Sequence, residues 1–223
     1  MSNGRNAQFK SSKSAFLALH PLTVGFEEAH MPAAAGIFPF DIQNRTMGYG
    51  NVLEVIGFAN RAKDVSWKSR RIEAYWLPWQ SRHTVELTIG KDADYFFTSE
   101  LNGCQFRVAR TGPTLLKIVH VAGDSQDAAM PAGSVWRNNQ ARDHFTAADY
   151  ALSRALTSSQ LLPAAPALGR TSYDGPHSWT NVFGFRRWHI IGAATWDIWY
   201  QTVQPVGALR AGYTAQAHHL CTL

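Results

Sequence analysis

Residues 94–124 read DYFFTSELNGCQFRVARTGPTLLKIVHVAGD, and their pattern predicts a β-hairpin. Residues 105–110 alternate polar and apolar side chains, which is typical of a half-buried strand. Residues 115–121 form a second, more continuous apolar run. Thr-Gly-Pro at residues 111–113 separates the two runs with residues that favour turns. We therefore expect two neighbouring antiparallel strands.

The predicted hairpin brings a thiol and an imidazole together at its open end. A turn centred on Gly112 places Cys104 directly opposite His120, on one apolar face. An imidazole can take the proton of a neighbouring thiol, so we expect a reactive thiolate–imidazolium pair. Asn102 and Gly103 precede the cysteine, and a tight turn there would aim peptide N–H groups at a developing oxyanion. Spacing alone also allows a small core cysteine and a hydrogen-bonded polar histidine.

The composition indicates a folded domain. Aromatic residues make up 12% of the 223 residues and charged residues 17%, which excludes disorder over most of the chain. No apolar run approaches the roughly 20 residues of a membrane-spanning helix. The net charge of +5 is modest and its basic residues are scattered, so we expect no obligate nucleic-acid partner. We expect residues 1–14 to be a flexible N-terminus and residues 15–223 to form a single domain.

The remaining segments predict a mixed α+β fold with a sheet-based core. Three of them have the β-branched or alternating pattern of strands: residues 51–59, 72–79 and 85–89. Residues 32–50 contain several prolines and glycines, so we expect them to be irregular. Thr146 has the features of a helix N-cap, and we expect the helix that follows it to continue to Pro163.

Short motifs in and before the hairpin resemble the Burkholderia lethal factor and cytotoxic necrotizing factor catalytic-domain family of protein glutamine deamidases. The clear match covers about residues 72–124, and the family signature is Leu-Ser-Gly-Cys followed by a histidine. Asn102 stands where the family usually has serine, and the gap between cysteine and histidine is longer than in the lethal factor. The motifs that carry the resemblance are Trp76-Leu77-Pro78-Trp79, Phe96-Phe97-Thr98 and Leu101-Asn102-Gly103-Cys104, with His120 after them.

This resemblance implies both a fold and an activity. The fold would be a β-sandwich core flanked by helices and long loops. Cys104 would be the nucleophile, His120 the general base, and Thr98 would complete the site through its backbone carbonyl. The enzyme would need no cofactor and would convert a glutamine of a host protein to glutamate, the host protein being a translation initiation helicase or a Rho-type GTPase. We expect a monomeric toxin or effector that is secreted without a cleavable signal and acts in the host cytoplasm.

Three other interpretations stay open from the residues. The chain could be another Cys–His hydrolase, such as a peptidase or a transglutaminase, or a non-catalytic, Trp-rich β module that binds a partner. Asp124 could orient the histidine ring instead of Thr98. His218, His219 and Cys221 could suggest a metal site, but adjacent side chains on a strand point in opposite directions. We expect no metal site there and a frayed C-terminus.

Overall fold

The computed structural model describes residues 4–25, 31–57, 71–81, 83–101, 103–122, 133–157, 178–189, 194–206 and 212–223. Its helices are α1 (Gly4–Ser11), α2 (Lys13–Leu19), α3 (Gly133–Asp143) and α4 (Ala147–Leu152). Its strands are β1 (Leu22–Val24), β2 (Gly36–Met47), β3 (Gly50–Gly57), β4 (Ile72–Leu77), β5 (Thr84–Ile89), β6 (Tyr95–Thr98), β7 (Gln105–Arg110), β8 (Leu116–Val121), β9 (Arg154–Leu156), β10 (Trp179–Arg187), β11 (Thr195–Pro205) and β12 (Tyr213–Thr222). None of the helices in these ranges has the length and apolar character needed to span a membrane.

The strands form two sheets. The larger sheet has eight strands in the order β1-β3-β2-β4-β6-β10-β11-β12, and the smaller sheet has four in the order β5-β8-β7-β9. Strand β1 runs parallel to β3, and β4 runs parallel to β6. The other strand pairs are antiparallel. The expectation of a sheet-rich, mixed α+β fold is therefore confirmed.

Apolar side chains from both sheets meet in one layer, which we call the inter-sheet layer. Tyr75 and Phe96 of the larger sheet share this cluster with Phe106 and Ile118 of the smaller sheet. Helices α1 and α2 pack on the other face of the larger sheet. Helix α3 contributes Ala141 to a cluster on the outer face of the smaller sheet. A side chain in the inter-sheet layer can therefore contact residues of both sheets.

The N-terminal residues differ from the expectation of a flexible segment. Residues 4–11 form helix α1, and the Phe9 side chain has no exposed surface. The ring of Phe9 packs against Phe16 and Phe185, with centroid distances of 5.5 and 5.6 Å. Asn6 donates a hydrogen bond to Asp41 of β2 at 2.7 Å. The polar composition of this segment gave no sign of a helix, although the buried face of α1 contributes Phe9 to the core.

The expectation that residues 32–50 are irregular is wrong, because they contain the 12-residue strand β2. Proline has no N–H, so it disfavours strands that are paired on both sides. Pairing of β2 with β4 covers Gly36–Phe40, whereas its pairing with β3 begins only at Phe40. Pro39 thus lies in the part of β2 that has a partner on one side only, where a missing N–H is tolerated.

The helix after Thr146 is correctly placed at its start but ends earlier than expected. The Thr146 hydroxyl accepts a hydrogen bond from the Asp149 N–H at 3.1 Å, which is the N-cap contact. Helix α4 ends at Leu152, and Ala155 and Leu156 belong to strand β9 instead. Strand β9 pairs with the outer edge of β7, so it satisfies backbone groups that a longer helix would leave unpaired.

Candidate active site

The hairpin of β7 and β8 has a longer loop than the sequence predicts. Residues 111–115 form this loop, and the Thr111 N–H donates to the Leu115 carbonyl at 3.0 Å. The loop is therefore centred on Pro113, one residue beyond Gly112. Moving the centre by one residue moves the pairing of the strands by two residues.

The expectation that Cys104 lies directly opposite His120 is consequently wrong. His120 pairs with Phe106, and Cys104 lies two residues before Phe106, just outside β7. A shift of two residues keeps both side chains on the same face, because side chains alternate along a strand. Cys104 belongs to the inter-sheet layer. It occupies the diagonal position relative to His120, at which Cβ atoms are typically about 7–8 Å apart or somewhat closer.

His120 is buried and is held from the larger sheet. Only 1% of its surface is exposed, and its Nδ1 lies 3.2 Å from the Thr98 Oγ1. That hydroxyl also lies 3.3 Å from the Ser99 carbonyl, to which it can donate while it accepts the Nδ1–H of the ring. The other ring nitrogen, Nε2, has no hydrogen-bond partner among the residues that the structure describes. This tautomer leaves the Nε2 lone pair available to accept a proton.

The contact between Thr98 and the ring differs from the one that the family resemblance implies. The resemblance assigns the contact to the backbone carbonyl, whereas the contact seen here is made by the hydroxyl. Thr98 is the last residue of β6, and its side chain points into the inter-sheet layer like that of Phe96. The Ser99 Oγ also lies 3.5 Å from Nδ1. Two hydroxyls of one segment therefore surround the same ring nitrogen.

Burial changes the protonation state expected for the histidine. Removal from water disfavours the charged ring and lowers the pKa of His120 to about 3. The ring is therefore neutral at pH 7, and a resting thiolate–imidazolium pair is not what this environment favours. A neutral ring with a free Nε2 suits transfer of the thiol proton at the moment of attack.

The buried neutral ring should make the fold sensitive to acid. Below pH 6.5 the unfolded chain binds a proton at His120, whereas the folded chain stays unprotonated down to about pH 3. This contribution to stability is fully present above pH 6.5, and it falls by about 1.4 kcal/mol per pH unit below that value. Urea unfolding at pH 7.0, 6.0 and 5.0 measures the slope. The variant His120→Gln is the control, and an equal slope in both proteins would contradict the assignment.

Loss of the Thr98 hydroxyl should weaken the positioning of the His120 ring without unfolding the chain. In Thr98→Val the ring loses its closest hydrogen-bond partner, and a typical hydrogen bond contributes about 1 kcal/mol. We expect the kcat/KM of an enzyme that uses this ring as its base to fall about tenfold at most. Thr98→Ser keeps the hydroxyl and is the matched control. If the serine variant loses as much activity as the valine variant, the hydroxyl does not position the ring.

The backbone before the cysteine has the conformation that a glycine permits. Gly103 has a φ of +76°, in the left-handed region that other residues adopt only with strain. No atom lies within 4 Å of the position that a Cβ would occupy there, so the backbone angle alone accounts for the glycine. Asn102, predicted to share in the oxyanion turn, lies outside the described residues, and so does Asp124.

Two further hydroxyl residues near this site carried no signal in the sequence. One is Ser99, described above. The other is Thr180 of β10, whose Oγ1 is buried and has no hydrogen-bond partner in the described part of the chain. The backbone of Thr180 exchanges two hydrogen bonds with Leu101, at 2.7 and 3.2 Å. Both residues come from the larger sheet, and no spacing rule in the sequence connects that sheet to the hairpin.

A pocket of about 370 Å³ opens beside Ser99. Most of its lining is apolar, and the indole rings of Trp76 and Trp79 form part of it. Ser99 therefore contacts both the pocket and the His120 ring. The lining residues are Gly25, Met31, Pro32, Ala33, Trp76, Pro78, Trp79, Gln80, Ser81 and Ser99. Trp76 and Pro78 come from the motif that carries the family resemblance, although that resemblance assigned them no role.

The C-terminal histidines lie in a strand, so the expectation of a frayed terminus is wrong. Strand β12 pairs with β11 along its length, with one register shift. The His218 ring stacks on Tyr200 at 4.9 Å, and the His219 ring lies 5.2 Å from Trp199. The described residues contain no group of three or more histidine, cysteine or acidic side chains suited to a metal ion.

The fold has a weak similarity to a solved bacterial protein domain. No protein-family model matches the chain, and no curated protein matches it. The chain is similar to the C-terminal domain of CNFy from Yersinia pseudotuberculosis, with a TM-score of 0.39 and 8% sequence identity. The similarity covers 84% of this chain and 88% of that domain. Because the TM-score and the identity are both low, the function has to be argued from the site itself.

Proposed function

We propose that this chain is a cysteine-dependent protein glutamine deamidase in which Cys104 is the nucleophile and His120 the general base. The observation that carries the catalytic pair is the His120 ring, which Thr98 holds at Nδ1 while Nε2 stays open. The choice of glutamine deamidation rests on the motifs around Cys104 that resemble the deamidase family. In this proposal the two packed sheets form the β-sandwich that the resemblance implies.

The first half of the reaction forms a thioester. The Cys104 Sγ attacks the carboxamide carbon of the substrate glutamine while Nε2 of His120 takes the thiol proton. Backbone N–H groups at Gly103 and Cys104 donate to the oxyanion of the tetrahedral intermediate. The protonated ring then gives its proton to the departing nitrogen, and ammonia leaves as the C–N bond breaks.

The second half of the reaction releases glutamate. Water attacks the thioester carbon and gives a proton to the neutral His120 ring. The C–S bond then breaks, the Cys104 sulfur recovers its proton from the ring, and the new carboxylic acid loses the second water proton to solvent to become a carboxylate. One ring nitrogen carries the proton to and from the sulfur and the departing nitrogen, so no metal or organic cofactor enters these steps.

The substrate in this proposal is a host protein, which the chain reaches as a monomeric effector in the host cytoplasm. A translation initiation helicase and a Rho-type GTPase are the two substrate types that the resemblance implies. The test is peptide mass spectrometry of eukaryotic lysate proteins after exposure to the purified chain. We expect a specific glutamine to become glutamate. The variant Cys104→Ala should leave that glutamine unchanged.

A matched cysteine variant controls this experiment. Cys221→Ala removes the other cysteine, which also lies in the inter-sheet layer, and it should deamidate like the unmodified chain. Conversion that survives in Cys104→Ala would refute the proposed nucleophile. Cleavage of peptide bonds that depends on Cys104 would show a peptidase instead.

One observation favours a second candidate function, a non-catalytic binding module. Only 4% of the Cys104 surface is exposed, as for an ordinary core cysteine. In a binding module Cys104 would resist a small thiol-alkylating reagent until the chain unfolds. In a deamidase it should be alkylated in the folded state, so the alkylation rate separates the two candidates.

A further inference from the structure

We infer that the pocket beside Ser99 binds an apolar side chain of the protein substrate next to the reactive glutamine. This inference rests on the proposed function and names the feature by which the site would select its substrate. It would place a specificity site on the larger sheet, whereas the nucleophile belongs to the smaller sheet. Four properties of the pocket carry the inference: its position, its rigidity, its chemistry and its exposed rim.

Its position links the pocket to the chemistry. Ser99 lines the pocket, and its Oγ lies 3.5 Å from the Nδ1 of His120. The Ser99 N–H donates to the Leu77 carbonyl at 3.1 Å, so the residue is fixed to the end of β4. Ser99 is therefore a wall common to the pocket and the catalytic ring, and in this inference the glutamine reaches the ring from a peptide held in the pocket.

The pocket is built on rigid groups. The Trp76 indole N–H donates to the Pro32 carbonyl at 2.8 Å, which holds the ring in place and leaves its face apolar. Only 2% of the Trp76 surface is exposed. Gly25 completes the wall with a φ of +77°, and a Cβ there would approach Trp76 to 3.5 Å and Met31 to 3.6 Å. Both distances are ordinary van der Waals contacts, so the positive φ accounts for the glycine in this wall.

The chemistry of the lining fits an apolar guest. Methionine, proline, alanine and tryptophan provide most of the wall, and the described lining contains no charged residue. The polar lining side chains are neutral: Gln80, Ser81 and Ser99. A carboxylate or ammonium group buried here would lose its hydration without gaining a partner of opposite charge. A volume of about 370 Å³ accommodates a large apolar side chain together with part of its backbone.

The rim of the pocket carries an exposed aromatic ring. Trp79 keeps 43% of its surface exposed, although tryptophan is mostly buried in folded chains. It follows Pro78, which also lines the pocket, and lies two residues after the end of β4. An exposed indole beside a concave apolar site is typical of residues that anchor a protein partner.

The test measures binding apart from turnover. Two pentapeptides are titrated calorimetrically into the Cys104→Ala protein: acetyl-Gly-Phe-Gln-Phe-Gly-amide and acetyl-Gly-Asp-Gln-Asp-Gly-amide. We expect the phenylalanine peptide to bind at least about tenfold more tightly. The additional substitution Trp79→Ala should remove most of that preference. Trp188→Ala is the matched control, because Trp188 is also exposed, at 70%, and packs on Arg186 outside the pocket.

Equal affinity for the two peptides, or a preference that survives Trp79→Ala, would overturn the inference. A second arm measures deamidation of both peptides by the chain with Cys104 intact. Selective binding without deamidation of either peptide would support the pocket as a binding site, and the lysate experiment would then decide the proposed function on whole proteins. Deamidation of both peptides at equal kcat/KM would support the proposed function and reject the pocket as its specificity site.

Discussion

His120→Gln should lower the rate of deamidation by about 10²- to 10⁴-fold, the usual effect of losing a general acid–base group. Glutamine is neutral and can still hydrogen-bond to Thr98, whose Oγ1 lies 3.2 Å from the histidine Nδ1. It cannot shuttle a proton between the thiol, ammonia and water. The measurement is the initial rate of ammonia release from the substrate identified by mass spectrometry.

The same variant should keep its fold. Burial holds the His120 ring neutral, so a neutral replacement leaves no unpaired charge in the inter-sheet layer. The urea midpoint of His120→Gln at pH 7 is the control for folding. A variant that folds normally and retains more than about a tenth of the activity would show that His120 is not the proton carrier.

Phe9→Ala should destabilise the chain by about 3–5 kcal/mol, because truncating a fully buried aromatic ring leaves a cavity. The ring has no exposed surface and packs with Phe16, Phe97 and Phe185. For a chain of this size the melting temperature should fall by about 10 °C. Differential scanning calorimetry at pH 7 measures this change.

Leu19→Ala is the matched control for that substitution. Leu19 is also an apolar residue of the N-terminal helices, but 73% of its surface is exposed. Its replacement should change stability by no more than about 0.5 kcal/mol. A Phe9→Ala variant that melts with the unmodified chain would mean that residues 4–11 do not pack on the sheet as described.

Local patterns in the sequence were enough to predict the strands of the hairpin, but not their register. The alternation of residues 105–110 gives the strand and the face that enters the inter-sheet layer, although the other face is buried as well. Leu115 continues the apolar run of β8, yet it lies in the loop and is 43% exposed. Its carbonyl accepts the Thr111 N–H, and this single hydrogen bond moves the pairing by two residues. Side-chain chemistry gives no sign of such a backbone contact.

Errors elsewhere in the fold arose where pairing in three dimensions outweighs a local signal. Pro39 predicted an irregular segment, but β2 has only one partner at that position. Leu156 fits the apolar face of a helix, yet it belongs to strand β9, which pairs with the edge of β7. Phe9 is one aromatic residue in a polar segment. The segment forms a helix there because Phe9 packs in the apolar cluster on one face of the larger sheet.

In the candidate site, too, local sequence predicts some features, whereas others depend on packing in three dimensions. The hairpin pattern in the sequence placed Cys104 and His120 on one face, but it paired them directly, whereas His120 pairs with Phe106. The family resemblance pointed to Thr98, but the hydroxyl contact and the low pKa of His120 depend on how two sheets pack. The contact of Ser99 with the His120 ring depends on the same packing.

The claim that Cys104 is an activated nucleophile for glutamine is tested most directly by an electrophilic glutamine analogue. The folded chain is treated with 6-diazo-5-oxo-norleucine at pH 7, and the labelled residue is found by peptide mapping. Cys221 is an internal control, because burial raises the pKa of its thiol to about 11. We expect the label on Cys104 alone, and much slower labelling in His120→Gln. Labelling of Cys221 instead, or equal labelling in His120→Gln, would contradict the account.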